Sequence, residues 1–132
     1  MRSDHFRGYI EGYYGKKLSW KDRKRIIIKL KSLNLNYYFY TPKEELKLRK
    51  EWKRPFSKKW LDKFKNFCNF AKSLDISIIA GISPGLNFNF SEKSKVDFNI
   101  LLEKVKILKS NGASVVSILY DDIPEPVNFD KK

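Results

Sequence analysis

The chain has 132 residues, is 42% hydrophobic, and carries 28 Lys and Arg against 15 Asp and Glu, for a net charge of +13. This hydrophobic share excludes wholesale disorder, and the length suits one domain of about 100–150 residues, so 1–132 is taken as a single domain. No stretch approaches the roughly 20 apolar residues of a membrane span, Met1–His5 leads into no apolar signal core, and the lone Cys68 excludes an internal disulfide. A cytoplasmic chain with no membrane partner is expected.

In chain order, a short apolar run alternates with an amphipathic helix. The first run is Gly8–Gly12. A helix follows from an N-cap at Ser19 to Leu33, with Ile26, Ile27, Leu30 and Leu33 at helical spacing and Asn34 as a left-handed C-terminal residue. The second run, Asn36–Tyr40, is broken by Thr41-Pro42, because proline donates nothing to a sheet ladder. A charged loop then leads to Ser57, which caps a second helix with Trp60, Leu61, Phe64, Phe67, Cys68, Ala71 and Leu74 on one face. The third run, Ile76–Ile82, ends at Ser83-Pro84-Gly85. The third helix spans about Ser94 to Ser110; Ser94 and Asp97 have capping-box spacing, and Phe98, Leu101, Leu102, Val105 and Leu108 form the expected buried stripe. Asn111-Gly112 closes it, and the fourth run, Ser114–Tyr120, ends at Asp121-Asp122.

The order β-α-β-α-β-α-β, with strands that are apolar almost throughout, indicates a parallel sheet covered by helices. Parallel strands share one C-terminal rim, and Glu11, Lys43, Ser83, Asp121 and Asp122 all fall at that rim. In a (β/α)₈ barrel the C-terminal rim carries the chemistry. Such a barrel takes roughly 250 residues, so the expected fold is α/β, a partial barrel of about four parallel strands with three intervening helices.

The charge raises nucleic acid as a partner. The bases are 22 Lys and 6 Arg, scattered over every helix, whereas base readout and phosphate forks favour Arg. Solvated helix faces account for them, and a basic nucleic-acid-binding protein is kept only as a third reading. No Cys/His cluster has metal-ligand spacing, so neither metal nor other cofactor is expected. Cys68, on the apolar face of its helix, is expected to pack in the core.

Five segments, in order and each near a strand end, carry a resemblance: Arg7–Gly15; Leu35–Lys43, containing Tyr-Thr-Pro-Lys; Trp52 with Arg54; Gly81–Leu86; and Leu119–Pro124, containing Asp121-Asp122. Over about residues 7–124 the sequence resembles the N-terminal half of the catalytic barrel of glycoside hydrolase family 84, the protein O-GlcNAcases and related bacterial hexosaminidases. The resemblance implies retaining hydrolysis of a β-linked N-acetylglucosamine, in which the 2-acetamido oxygen of the substrate is the nucleophile and an oxazoline forms; substrate-assisted families are exceptions to the two-carboxylate scheme. It further implies that Asp121 accepts a hydrogen bond from the acetamido N–H, that Asp122 is the general acid and then base, and that Lys43 contacts sugar hydroxyls. Gly12 matches a glycine whose backbone approaches the sugar. Tyr14 lines the pocket or packs beside it; both readings stay open. Ser83-Pro84-Gly85 shapes the third loop.

Adjacent carboxylates split their pKa values, which suits one ionised and one protonated partner. Adjacent strand residues point to opposite faces, so both can serve one pocket only where the chain leaves strand geometry, as Ile123-Pro124 encourages. The sequence departs from the family at Lys16–Trp20, where a Pro-Trp is usual, and at Glu44-Glu45, where two aspartates are usual. The strands that would complete a barrel are not in the 132 residues, so the expected enzyme is truncated or split, with a second chain or second copy completing it. The alternative is a non-catalytic remnant that binds sugar or a partner.

Overall fold

A computed structural model of the chain describes residues 5–85, 87–91 and 95–120. Strands β1 (Gly8–Glu11), β2 (Tyr37–Tyr40), β3 (Ser77–Ile82) and β4 (Val115–Ile118) alternate with helices α1 (Trp20–Ser32), α2 (Lys58–Ser73) and α3 (Val96–Ser110). The strands pair in sequence order and all run parallel. A strand that returns parallel to its neighbour through a helix is the repeating unit of a (β/α) barrel. Among the described residues no helix is long and apolar enough to cross a membrane.

The helix starts follow from local chemistry. Ser19 Oγ accepts from the Asp22 amide at 3.0 Å, and Ser57 Oγ accepts from the Trp60 amide at 3.1 Å; each such cap is worth about 1 kcal/mol. Asn34 has φ 57° just past α1, and Asp75 has φ 58° just past α2, the left-handed turn that ends a helix. Past α3 the same turn is made by Gly112 at φ 120°. A Cβ there would lie 2.6 Å from the Cβ of Cys68, so glycine answers both the backbone angle and the close approach. Cys68 is buried in the core as expected, and burial pushes its thiol up to about 12.

The core lies between the sheet and the helices. Tyr38, Tyr40, Ile78, Ala80 and Ile82 point toward the helices and are buried, meeting Phe64, Phe67 and Ala71 of α2 and Ile27 and Leu30 of α1. Aromatic edges fill it: Tyr38 and Phe67 have ring centroids 5.2 Å apart, Tyr40 and Phe64 5.6 Å. Such pairs add to their area burial.

Two expectations are corrected. In α1 the buried line is Arg23, Ile27 and Leu30, while Leu33 becomes the exposed C-cap. In α3 the buried line is Asp97, Leu101, Lys104 and Leu108, with Phe98 and Leu102 exposed. The period is helical in both cases, but the stripe is rotated because buried polar groups, each with partners from other elements, occupy positions that read as surface. The helix starts after Lys95 with no side-chain cap bond, and Ser94 lies outside the described residues; the Asp97 carboxylate accepts from the Asn89 amide at 2.8 Å and pairs with Lys53 at 3.1 Å, which hold it below the ordinary carboxylate range. The charged loop after β2 buries Leu48, Trp52 and Phe56 and contains a 3-10 turn at Leu46–Leu48.

Candidate active site

On the side of the sheet away from the helices, residues form layers. Ile10, Phe39, Ile79 and Val115 stand in register across the four strands. This apolar layer is what fills the middle of a barrel. One step toward the C-terminal rim the side chains shrink. Thr41 donates its amide to the Glu11 carbonyl at 2.9 Å and lodges between two glycines. A Cβ on Gly81 would lie 2.6 Å from Thr41 Cβ and Oγ1, and one on Gly12 would lie 3.2 Å from Thr41 Cγ2 and from Ile10 Cγ2. Ser117 pairs with Gly81. Gly12, Thr41, Gly81 and Ser117 therefore make a floor of minimal bulk at the strand ends.

Of the residues expected to contact sugar, Lys43 and Tyr14 come together at the rim. Pro42 ends β2 and Lys43 follows, buried to 7% exposure. Its Nζ lies 5.7 Å from the Tyr14 ring centroid, with Tyr14 supplied by the loop after β1. Arg49 adds a second cation, its Cζ 5.4 Å from the same ring. Arg49 carries no motif and was not singled out in the charged loop after β2. The two departures from the family pattern meet in space: Lys17 of the first loop pairs with Glu45 of the second at 3.2 Å.

Glu11, expected among the rim polar groups, turns the other way. Its side chain points into the helix layer at 1% exposure. Arg23 donates to it through Nε at 2.8 Å and Nη2 at 2.9 Å, and the Tyr38 hydroxyl donates at 2.7 Å. Burial, then this hydrogen bond, pushes the Tyr38 phenol up. Strand alternation explains the direction: Ile10 and Gly12 face the barrel side, and Glu11 between them cannot.

The third loop is tied to the second. The Ser83 amide donates to the Leu48 carbonyl at 2.7 Å, and Trp52 Nε1 donates to Asn87 Oδ1 at 2.6 Å. Trp52 also stacks on Phe88 at 5.7 Å between centroids. Ser83 therefore shapes the loop through its backbone. Pairing of β4 with β3 continues to the Leu119 amide, 2.9 Å from the Ile82 carbonyl. Asp121 and Asp122, the expected catalytic pair, lie outside the described residues. Among the described residues no group of three or more His, Cys, Asp or Glu could hold a metal ion.

A family model described as β-N-acetylglucosaminidase matches residues 7–132. The chain belongs to this family. Protein O-GlcNAcase of Rattus norvegicus is 31% identical over 116 residues, 88% of this chain and 12% of the relative, and that of Mus musculus gives the same figures. A solved mutant of the Thermobaculum terrenum O-GlcNAc hydrolase has a TM-score of 0.85 at 33% identity, covering 90% of this chain and 25% of that one. The solved CpGH84B has a TM-score of 0.84 at 32% identity, covering 90% of this chain and 21% of that one. The chain thus spans a quarter or less of the length of these relatives. Its fold is a partial (β/α) barrel corresponding to the N-terminal portion of a glycoside hydrolase family 84 enzyme.

Proposed function

We propose that this chain forms the part of a β-N-acetylglucosaminidase site that binds the sugar and acts on its acetamido side. The observation that carries the reading is the contact of Lys43 with Tyr14 at the rim, in a chain of this family whose strand ends also carry the small residues Gly12, Thr41 and Gly81. The substrate class is a β-linked N-acetylglucosamine glycoside. Gly12 admits the sugar ring close to the backbone, since any larger residue would fill that space. Lys43 donates to sugar hydroxyls, and Tyr14 lines the same wall.

In the proposed reaction the acetamido oxygen attacks the anomeric carbon as the bond to the leaving oxygen breaks. Asp121 accepts from the acetamido N–H and stabilises the positive charge of the forming oxazoline, an electrostatic role suited to an ionised group in a fixed position. Asp122 gives its proton to the leaving oxygen. It then takes a proton from the water that opens the oxazoline, and the anomeric configuration is retained. A site of this kind depends on positioning, so a second chain or copy that supplies the remaining strands is part of the proposal.

The test is release of nitrophenol from an aryl N-acetyl-β-glucosaminide. It is run with the chain alone and with a chain carrying further strand-helix units of the family. Activity that Asp122→Asn removes supports the assignment. Binding of N-acetylglucosamine with no turnover under either condition would instead establish a sugar-binding remnant. Absence of both would remove the sugar reading altogether.

A further inference from the structure

We propose that Lys104 is a positioning residue for the sugar-binding rim, its ammonium fixing the segment after β2 that carries Lys43 and Arg49. The side chain rises from the middle of α3 and is 3% exposed. Its Nζ donates to the carbonyl oxygens of Lys47 at 2.5 Å, Trp52 at 2.6 Å and Arg54 at 2.7 Å. An ammonium has three N–H donors, so all three are used. The Phe56 ring lies beneath, its centroid 4.0 Å from the nitrogen, a cation–π contact.

Three carbonyls from one short segment therefore converge on one point. Without a donor the Trp52 carbonyl would be buried and unsatisfied and the two part-buried carbonyls beside it would lose their shared partner, and their converging partial negative charges would push the segment open. The same segment holds the rim. Leu48, beside Lys47, receives the Ser83 amide at 2.7 Å, and Arg49 stands 5.4 Å from the Tyr14 ring that Lys43 also faces. Lys104 touches no part of the proposed sugar site. It acts through the backbone, so the inference rests on the reading of Lys43 as a sugar contact only for its effect on binding.

Amide hydrogen exchange on the full chain below about pH 7, where the Lys104 amine keeps its third proton, compared with Lys104→Met and Lys104→Arg, tests this. Methionine keeps the apolar stem and loses every donor; the planar arginine fork keeps charge but cannot converge three donors from one atom. The expected result for Lys104→Met is at least tenfold faster exchange at the amides of Arg49, Glu51, Arg54 and Ser83, with the α2 amides of Phe67 and Cys68 unchanged. N-acetylglucosamine affinity should fall about tenfold, with Lys104→Arg intermediate in both readouts. Uniform acceleration across α2 and the sheet, or no change in the segment, overturns the proposal. Should Lys104→Met fail to fold, nitrogen NMR of the native side chain decides: slow exchange at Lys104 Nζ is expected, and exchange as fast as at surface lysines refutes the clamp. A native chain that binds no N-acetylglucosamine would defeat the functional reading, while the exchange pattern would still judge the clamp.

Discussion

Arg23 reaches from the first turn of α1 to the carboxylate of Glu11, placing Nε 2.8 Å from one oxygen and Nη2 2.9 Å from the other. Both side chains are buried, at 3% and 1% exposure, and the Tyr38 hydroxyl shares the first oxygen. The geometry is the bidentate fork that makes arginine–carboxylate contacts strong. It ties the end of β1 to α1 directly beneath Gly12.

Removing one partner leaves the other charged and buried, which costs about 3–5 kcal/mol. Arg23→Met and Glu11→Gln should each lower unfolding stability by that order in urea titrations. The double variant Glu11→Leu/Arg23→Met should recover much of the loss, because a packed apolar pair avoids the desolvation cost. Single variants within about 1 kcal/mol of the native chain would contradict a buried, bidentate pair.

Lys104 gives a pH dependence of defined sign. Burial, followed by the nearby Lys47 charge, lowers its pKa from 10.5 to about 7. Between about pH 7 and 10.5 the unfolded chain therefore binds more protons at this site than the folded chain. Stability from this group rises with pH across that window, by at most about 1.4 kcal/mol per pH unit, and is flat below it, where both states are protonated. Unfolding midpoints measured from pH 6 to 10 should show the rise in the native chain, and Lys104→Met should remove it. A parallel pH profile in the variant would show that another group is responsible.

The two floor glycines should separate folding from binding. Gly81→Ala puts a Cβ 2.6 Å from Thr41, overpacking that costs about 1–3 kcal/mol. Gly12→Ala meets its neighbours at 3.2 Å, so its stability cost should stay below about 1 kcal/mol. Under the proposed function it should nevertheless weaken N-acetylglucosamine binding at least tenfold by occupying the sugar's space. Calorimetric binding together with thermal melts checks both. Equal effects of the two substitutions on binding and melting would argue against Gly12 as a sugar contact.

The strands and helix limits were legible because their signals are local. Ser19 and Ser57 cap within their own turns, Asn34 takes the left-handed angle at the end of α1, and continuous apolar runs mark parallel strands. Buried polar residues were not legible in the same way. Arg23 and Lys104 look like solvated helix residues until Glu11 and the carbonyls of the second loop are placed beside them, and those partners come from distant parts of the chain. Burial in the loop after β2 was not legible either, because Leu48 and Trp52 have no periodicity to announce it. At the candidate site, Gly12, Tyr14 and Lys43 were singled out through motifs. Arg49 was missed, because its role is defined only by its contact with Tyr14.

The small layer around Thr41 carries one more implication. Where a ligand's seat is defined by missing atoms, truncating side chains reveals nothing, and a conventional alanine scan becomes at these glycines an experiment in addition. Under the proposed function, loss of sugar binding would come from methyl groups gained, and variants that enlarge Gly12 in graded steps would show how closely the sugar depends on that gap.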